Sequence, residues 1–134
     1  LYTGNDDNIV FDPLTPFRFG DATVHLVGGL LGQWAVWTPA AVELHRRIRS
    51  LVTAGADVPL DLLRLGADLT AANAAVFDPG NAFAGSIAEV NEALARSGLL
   101  AGNRCLSDAE RLSPGQADEV TRVMELYPDI CRTW

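Results

Sequence analysis

The feature that most constrains this sequence is the change in its apolar pattern near residue 37. Before that point two short stretches, residues 1–4 and 23–27, read as β-strands, and the second is a compact apolar run with β-branched residues. After it, apolar residues recur at helical spacing. Two strands do not form a stable sheet by themselves. If both are buried parallel strands, they need neighbours that this sequence does not supply.

Four helices are predicted from their start and stop signals. They are bounded by Thr38-Pro39 and Gly55, by Pro59 and Asp78-Pro79-Gly80, by an Asn81 cap and Gly98, and by a Ser113–Gln116 capping box and Pro128. The expected buried faces are Val42, His45, Ile48 and Val52; Leu63, Ala67, Val76 and Phe77; Ile87, Val90 and Leu94; and Val120, Val123, Met124 and Tyr127.

Two further segments precede the strand at residues 23–27. Asp6 or Asp7 is expected to cap a short helix through Phe11, which Asp12-Pro13 would end. The stretch "PLTPFRFGD" is expected to be loop, because it contains two prolines and a glycine.

Length and charge exclude several classes of partner. The chain has 134 residues, enough for one ordinary domain, and a net charge of −7. Such an acidic protein repels nucleic acid and anionic lipid. Its apolar runs are too short for a transmembrane span, and no secretory leader is recognised. The chain starts at Leu1, so we expect a processed, trimmed or partial sequence, and the basic patch at residues 45–49 is expected to be a solvated helix face.

Cysteine and histidine usage gives little chemistry. Cys105 and Cys131 would pair if the protein were exported, and the sequence alone does not decide this. Two isolated cysteines in an acidic globular chain are more often free thiols, as in the reducing cytoplasm, which is the location we expect. His25 and His45 are too far apart in sequence to show metal-ligand spacing, so no metal and no cofactor are expected.

The stretch "TGNDD" at residues 3–7 is the main candidate for function. Calcium fits poorly, because the apolar residues after Asn8 offer no ligands, and phosphate would be repelled by adjacent carboxylates. Two interpretations stay open. The acids cap a helix, or they follow a strand, as substrate-binding residues do at the carboxyl face of a (β/α)₈ barrel.

The order of motifs resembles the dihydrodipicolinate synthase/N-acetylneuraminate lyase family. "YTGNDD" and "VHLVGGLLG" resemble its seventh and eighth strands, and "AANAAVFDPGNAFAGSIAEVNEALARSGLL" and "NRCLSDAERLSPGQADEVTRVM" resemble its C-terminal helices. The resemblance implies an α/β fold, mostly helical in content: the C-terminal segment of a (β/α)₈ TIM barrel with two short parallel strands. Residues 1–55 would be the last two β/α units, and residues 56–134 a C-terminal helical extension.

The resemblance also implies a function. The family performs class I aldolase chemistry, in which a lysine forms an imine with pyruvate or a related 2-oxo acid. This chain contains no lysine, so it would supply no catalytic residue. Gly4, Asp6, Asp7 and Gly28 would bind a 2-oxo acid or aldehyde substrate, and Gly28 replaces a serine common in the family. The implied partners are the rest of the barrel or like subunits in a homo-oligomer.

One alternative belongs to another class. The four helices would form a self-contained, non-enzymatic domain that binds a partner or an apolar ligand, and an exported form of it would carry a Cys105–Cys131 disulfide. The aromatic pair Trp34 and Trp37 would pack in the core or contact a subunit.

Overall fold

A computed structural model describes residues 1–132 of the chain. Five α-helices and one two-stranded sheet lie in that range. They are α1 (Phe11–Leu14), β1 (Pro16–Phe19), β2 (Ala22–His25), α2 (Thr38–Ala54), α3 (Leu60–Phe77), α4 (Ser86–Arg96) and α5 (Gln116–Leu126). Short 3-10 turns occur at Asp6–Asn8, Gly32–Ala35 and Pro79–Asn81.

The prediction of parallel barrel strands is wrong. In residues 1–132 the one sheet is an antiparallel hairpin, in which Pro16 pairs with His25 and Phe19 with Ala22. Residues 1–4 form no strand and contribute a single parallel bridge between Thr3 and Gly29. The fold is therefore a small mixed α/β domain and not the C-terminal segment of a TIM barrel.

The hairpin has a clear local cause. Its first strand lies in the segment predicted as loop, where Phe17 and Phe19 favour a strand. Pro16 is tolerated because it is the first residue of that strand, where a missing N–H interrupts no ladder. Gly20 and Asp21 make a two-residue connection with Gly20 at φ +60°. The Gly20-Asp21 turn thus favours a hairpin here, although the two prolines of this segment had predicted a loop.

The four long helices are confirmed near their predicted bounds. α2 begins at Thr38 with Pro39 in its first turn and ends before Gly55. α3 follows Pro59. α4 begins at Ser86, later than predicted, because residues 79–81 form a turn in which Asn81 donates to Asp78. In α5 half of the capping box forms, since the Ser113 N–H donates to Gln116 Oε1 at 3.1 Å.

The buried faces of three helices differ in part from prediction, although Ile48 and Val76 are buried as predicted. The residues buried are Ala41, Leu44 and Ile48 in α2, Leu62, Gly66, Leu69, Ala72, Asn73, Ala75 and Val76 in α3, and Ala88, Glu89 and Ala93 in α4. Val42, His45, Leu63, Ala67 and Ile87 are exposed instead. Six of these thirteen buried residues are glycine or alanine, which let neighbouring backbones approach closely. In α5, Val120 and Val123 are buried as predicted.

The predicted helix between Asp6 and Phe11 is also wrong. A 3-10 turn covers Asp6–Asn8, and α1 starts only at Phe11 and includes Pro13. Asn5 precedes the turn, and its side chain makes no capping bond. Ile9 and Val10, between the 3-10 turn and α1, insert into the core, which explains why the helical geometry breaks there.

The core gathers around α3. It includes Ile9 and Val10, the buried side chains of the segment 31–37 that ends at Trp37, and the inner residues of α2 to α5. Gly66 on α3 permits one close approach, since a Cβ there would lie 3.1 Å from Phe11 Cζ. The division at residue 55 stays a prediction. None of the helices in the described part is long and apolar enough to cross a membrane.

Candidate functional site

The acidic loop, residues 4–8, is held beside Gly28 and Gly29 by backbone pairing. The Thr3 N–H donates to the Gly28 carbonyl at 3.0 Å, and the Leu30 N–H donates to the Thr3 carbonyl at 2.8 Å. A third bond runs from the Val27 N–H to the Leu1 carbonyl at 2.9 Å. The structure therefore brings together two segments that lie more than twenty residues apart in the sequence.

Thr3 anchors the start of the acidic loop. Its side chain is buried, and Oγ1 donates to Asp12 Oδ2 at 2.5 Å while accepting the Asn5 N–H at 3.1 Å. A hydrogen bond to a carboxylate is stronger than one between neutral groups. This contact fixes the loop against α1.

Asp6 and Asp7 have different surroundings, although both are exposed. Asp6 Oδ2 accepts a hydrogen bond from Asn73 Nδ2 at 3.0 Å, and Asn73 is buried on α3. For the Asp7 side chain no bond is found within residues 1–132, so its carboxylate is available to a ligand. Asn73 was missed by sequence reasoning, because a lone asparagine in a helical pattern gives no signal of its partner.

Gly29 and Gly28 differ in the space around them. A Cβ on Gly29 would lie 3.0 Å from Ile9 Cδ1 and 3.1 Å from Trp34 Cζ3, so a side chain at this position would have to displace one of them. A Cβ on Gly28 would meet only Tyr2 Cβ, at an ordinary 3.8 Å. Position 28 therefore has room for a Cβ.

An apolar groove of about 350 Å³ lies between Gly28–Gly29 and α2. Trp34, Ala41, Val42 and Ile48 contribute to its walls. Of the four predicted site residues, Gly28 lines this groove, whereas Gly4, Asp6 and Asp7 lie outside it. At its rim, His45 Nε2 is 2.9 Å from the Val27 carbonyl, which ties α2 to the segment carrying Gly28.

A second, charged cleft of about 550 Å³ separates α2 from α3 and residues 129–132. Arg47 donates twice to Asp61, at 2.9 and 2.7 Å, and this arginine lowers the pKa of the Asp61 carboxyl. Arg132 pairs with Glu43. Within the basic patch predicted to be solvated, Arg47 thus has a defined partner.

Both cysteines are free thiols in the structure. Cys131 is buried, and burial raises the pKa of its thiol to about 12. Such a thiol is unreactive, because the thiolate is the nucleophile. Cys105 is partly exposed and lies 3.5 Å from Asn91 Nδ2. Residues 1–132 hold no group of three side chains suited to a metal ion.

Comparisons with known proteins give no relative for this chain. No family model matches the chain, and no curated protein and no solved structure gives a significant match.

Proposed function

We propose that this chain supplies substrate-positioning residues to a class I lyase or synthase acting on a 2-oxo acid or aldehyde. The observation that carries the proposal is the Thr3–Gly29 pairing, which sets the acidic loop beside Gly28. The order of motifs described above supports it as well. The barrel plays no part in the proposal, which takes the class of reaction from the resemblance and the placement of the residues from this local arrangement.

Each residue has a role that follows from its contacts. Asp6 is oriented by Asn73, and Asp7 is free to accept hydrogen bonds from a hydroxyl or ammonium group of the substrate. Gly28 leaves space next to the backbone for the ligand. Holding a substrate in a reactive geometry accelerates a reaction even when the positioning groups do no chemistry.

The imine-forming amine must come from a lysine outside this sequence, because the chain has none. It would be provided by another segment of the polypeptide or by another subunit. The proposed compartment is the cytoplasm, which is supported by the two free thiols.

The test uses the protein as its gene encodes it. Treatment with pyruvate and borohydride should add one reduced pyruvate to a lysine outside residues 1–134. Asp7→Asn should raise KM for the second substrate without abolishing trapping, and Gly28→Ser should change substrate preference. Asp21→Asn, in the exposed hairpin turn, is the matched control and should change nothing. A protein that traps no 2-oxo acid contradicts the proposal.

A second candidate function is an interaction module, and the apolar groove favours it. Exposed Leu1, Tyr2, Val27 and Leu30 lie on the two segments joined by the Thr3–Gly29 bridge, one of which also contributes Gly28 and Gly29 to the groove. Such a concentration of exposed apolar side chains marks an interaction surface. The proposed occupant is a like subunit of a homo-oligomer.

Sedimentation tests this second function. Val42→Asp puts a charge into the groove, whereas Val58→Asp changes a similarly exposed valine that does not line it. An oligomer should dissociate only with the first variant. A monomeric parent chain, or equal behaviour of both variants, would exclude the groove as a subunit contact.

A further inference from the structure

Glu89 is a buried acid that takes no part in the proposed function. It lies in the first turn of α4 and is 0% exposed. Neither carboxylate oxygen has a hydrogen-bond partner among the described residues. An ionised carboxylate in such surroundings is strongly unfavourable, so burial favours the neutral acid.

The cation whose charge acts on Glu89 is Arg96, which makes no hydrogen bond to it among the described residues. Arg96, also on α4, donates to Glu92 at 2.8 Å and to Thr121 at 2.7 Å, so its guanidinium is already engaged. Burial raises the pKa of Glu89 to about 7, Arg96 opposes that rise, and Glu92 adds to it. The neutral form of Glu89 is therefore favoured at pH values at which an ordinary glutamate is already ionised.

α3, α5 and the loop around Arg104, whose carbonyl accepts a hydrogen bond from Asn91 Nδ2, pack against α4. Among the described residues, the charges that act on Glu89 are those of Arg96 and Glu92, both on α4 itself. Gln116 of α5 donates to the Val76 and Gly85 carbonyls, at 3.2 and 3.4 Å, so it joins the end of α3 to the start of α4. The charged groups at this junction are acidic: Asp78 after α3, and Asp118 and Glu119 in the first turn of α5. Glu119 is paired with Arg122. The three charged residues of α3 are Asp61, Arg64 and Asp68, and all lie in its N-terminal half, away from the junction with α4.

The connection that leads into α4 is strained. Asp78, Ala82 and Phe83 have φ values of +51°, +54° and +65°, a region that residues other than glycine seldom adopt. Each such residue costs about 1 kcal/mol or more. Release of the first turn of α4 would relieve this strain and expose Glu89 to water at the same time.

We propose that protonation of Glu89 controls the docking of α4 onto α3 and α5. With the acid neutral, α4 stays docked. With the acid charged, the first turn of α4 opens more readily, and each opening breaks the Gln116 contacts and hydrates the carboxylate. The device links the exposure of this helix to pH within the physiological range and is independent of the lyase and interaction proposals.

Hydrogen exchange of the intact chain between pH 5 and pH 8 tests the inference. After correction for intrinsic rates, the opening constant of α4 amides should rise roughly 70-fold, as linkage predicts for a carboxyl whose pKa changes from 4.5 when open to about 7 when docked. Amides of α2 should remain better protected than those of α4 at pH 8. Glu89→Gln should remove the rise, and Glu125→Gln, at an exposed position of α5, should retain it.

Three results would overturn the inference. They are a pH-independent opening of α4 in the parent chain, an unchanged rise in the Glu89→Gln variant, or one shared opening constant for α2 and α4 at every pH. Glu89→Leu gives a second variant with an uncharged side chain of similar size. It should show the same flat profile as the glutamine variant.

Discussion

The helical part of the chain, residues 38–132, and the preceding part, residues 1–37, are held together in different ways. The helices pack face to face, and α3 buries seven residues along its length. The preceding part has a four-residue helix, a hairpin and one backbone bridge, and it reaches the core mainly through Ile9, Val10, Val36 and Trp37. The candidate site lies in the preceding part, which we expect to be the less stable of the two because it has little regular secondary structure. Binding loops are commonly drawn from the less stable regions of a protein.

The largest effect is expected in α3. Leu62→Ala removes a side chain that is 0% exposed and should lower the free energy of unfolding by about 2–5 kcal/mol. Leu63→Ala, at the adjacent exposed position, should lower it by about 0.5 kcal/mol or less. Urea denaturation measures both. Equal losses would show that α3 is not packed through the face described here.

The next effect depends on pH and concerns α4. Glu89→Gln should raise the free energy of unfolding by roughly 2–3 kcal/mol at pH 8 and leave it nearly unchanged at pH 4. The folded-state pKa of Glu89 is raised, so its stabilising contribution is present below pH 4.5 and lost as the pH rises through 7. Thermal unfolding at both pH values measures the difference. A gain at pH 4 equal to that at pH 8 would contradict the assignment.

A smaller effect is expected at the anchor of the acidic loop. Thr3→Val keeps the shape of the side chain and removes its bonds to Asp12 and to the Asn5 N–H, which should cost about 1–2 kcal/mol. Amide chemical shifts should change in residues 3–12 and stay constant in α5. Thr53→Val, at an exposed position near the end of α2, is the control. Shifts spread evenly over the chain would mean that Thr3 supports the whole fold.

The smallest effect is expected in the hairpin. Phe19 is 64% exposed, so Phe19→Ala should change the free energy of unfolding by about 0.5 kcal/mol or less. Denaturant unfolding of the variant beside the parent chain measures this change. A loss comparable to that of Leu62→Ala would show that the hairpin packs on another surface.

Sequence reasoning succeeded where the signals are local. Thr38-Pro39, Gly55 and Pro59 bound helices through their own backbone preferences, and the structure retains those bounds. The inner faces were harder to predict, because Ala41 and Gly66 are buried for their small size, which hydrophobic periodicity undervalues.

Contacts between distant residues could not be predicted from the sequence. Asn73 donates a hydrogen bond to Asp6, which lies 67 positions earlier in the sequence. Glu89 is buried on α4, although the apolar Ile87 of the same helix is exposed. The barrel prediction failed because residues 1–4 and 23–27 were interpreted as equivalent strands. In the structure β2 pairs instead with the adjacent segment through the Gly20-Asp21 turn, since a short connection loses less entropy than a distant pairing.

Native-state hydrogen exchange at pH 6 tests most directly whether the helices form the more stable part of the chain and the candidate site lies in the less stable part. We predict that amides of α3, such as those of Ala72 and Val76, open only with global unfolding. Those of Phe17, Val24 and Leu30 should open with free energies several-fold smaller. Equal protection of the hairpin, the Thr3–Gly29 bridge and α3 would contradict the account.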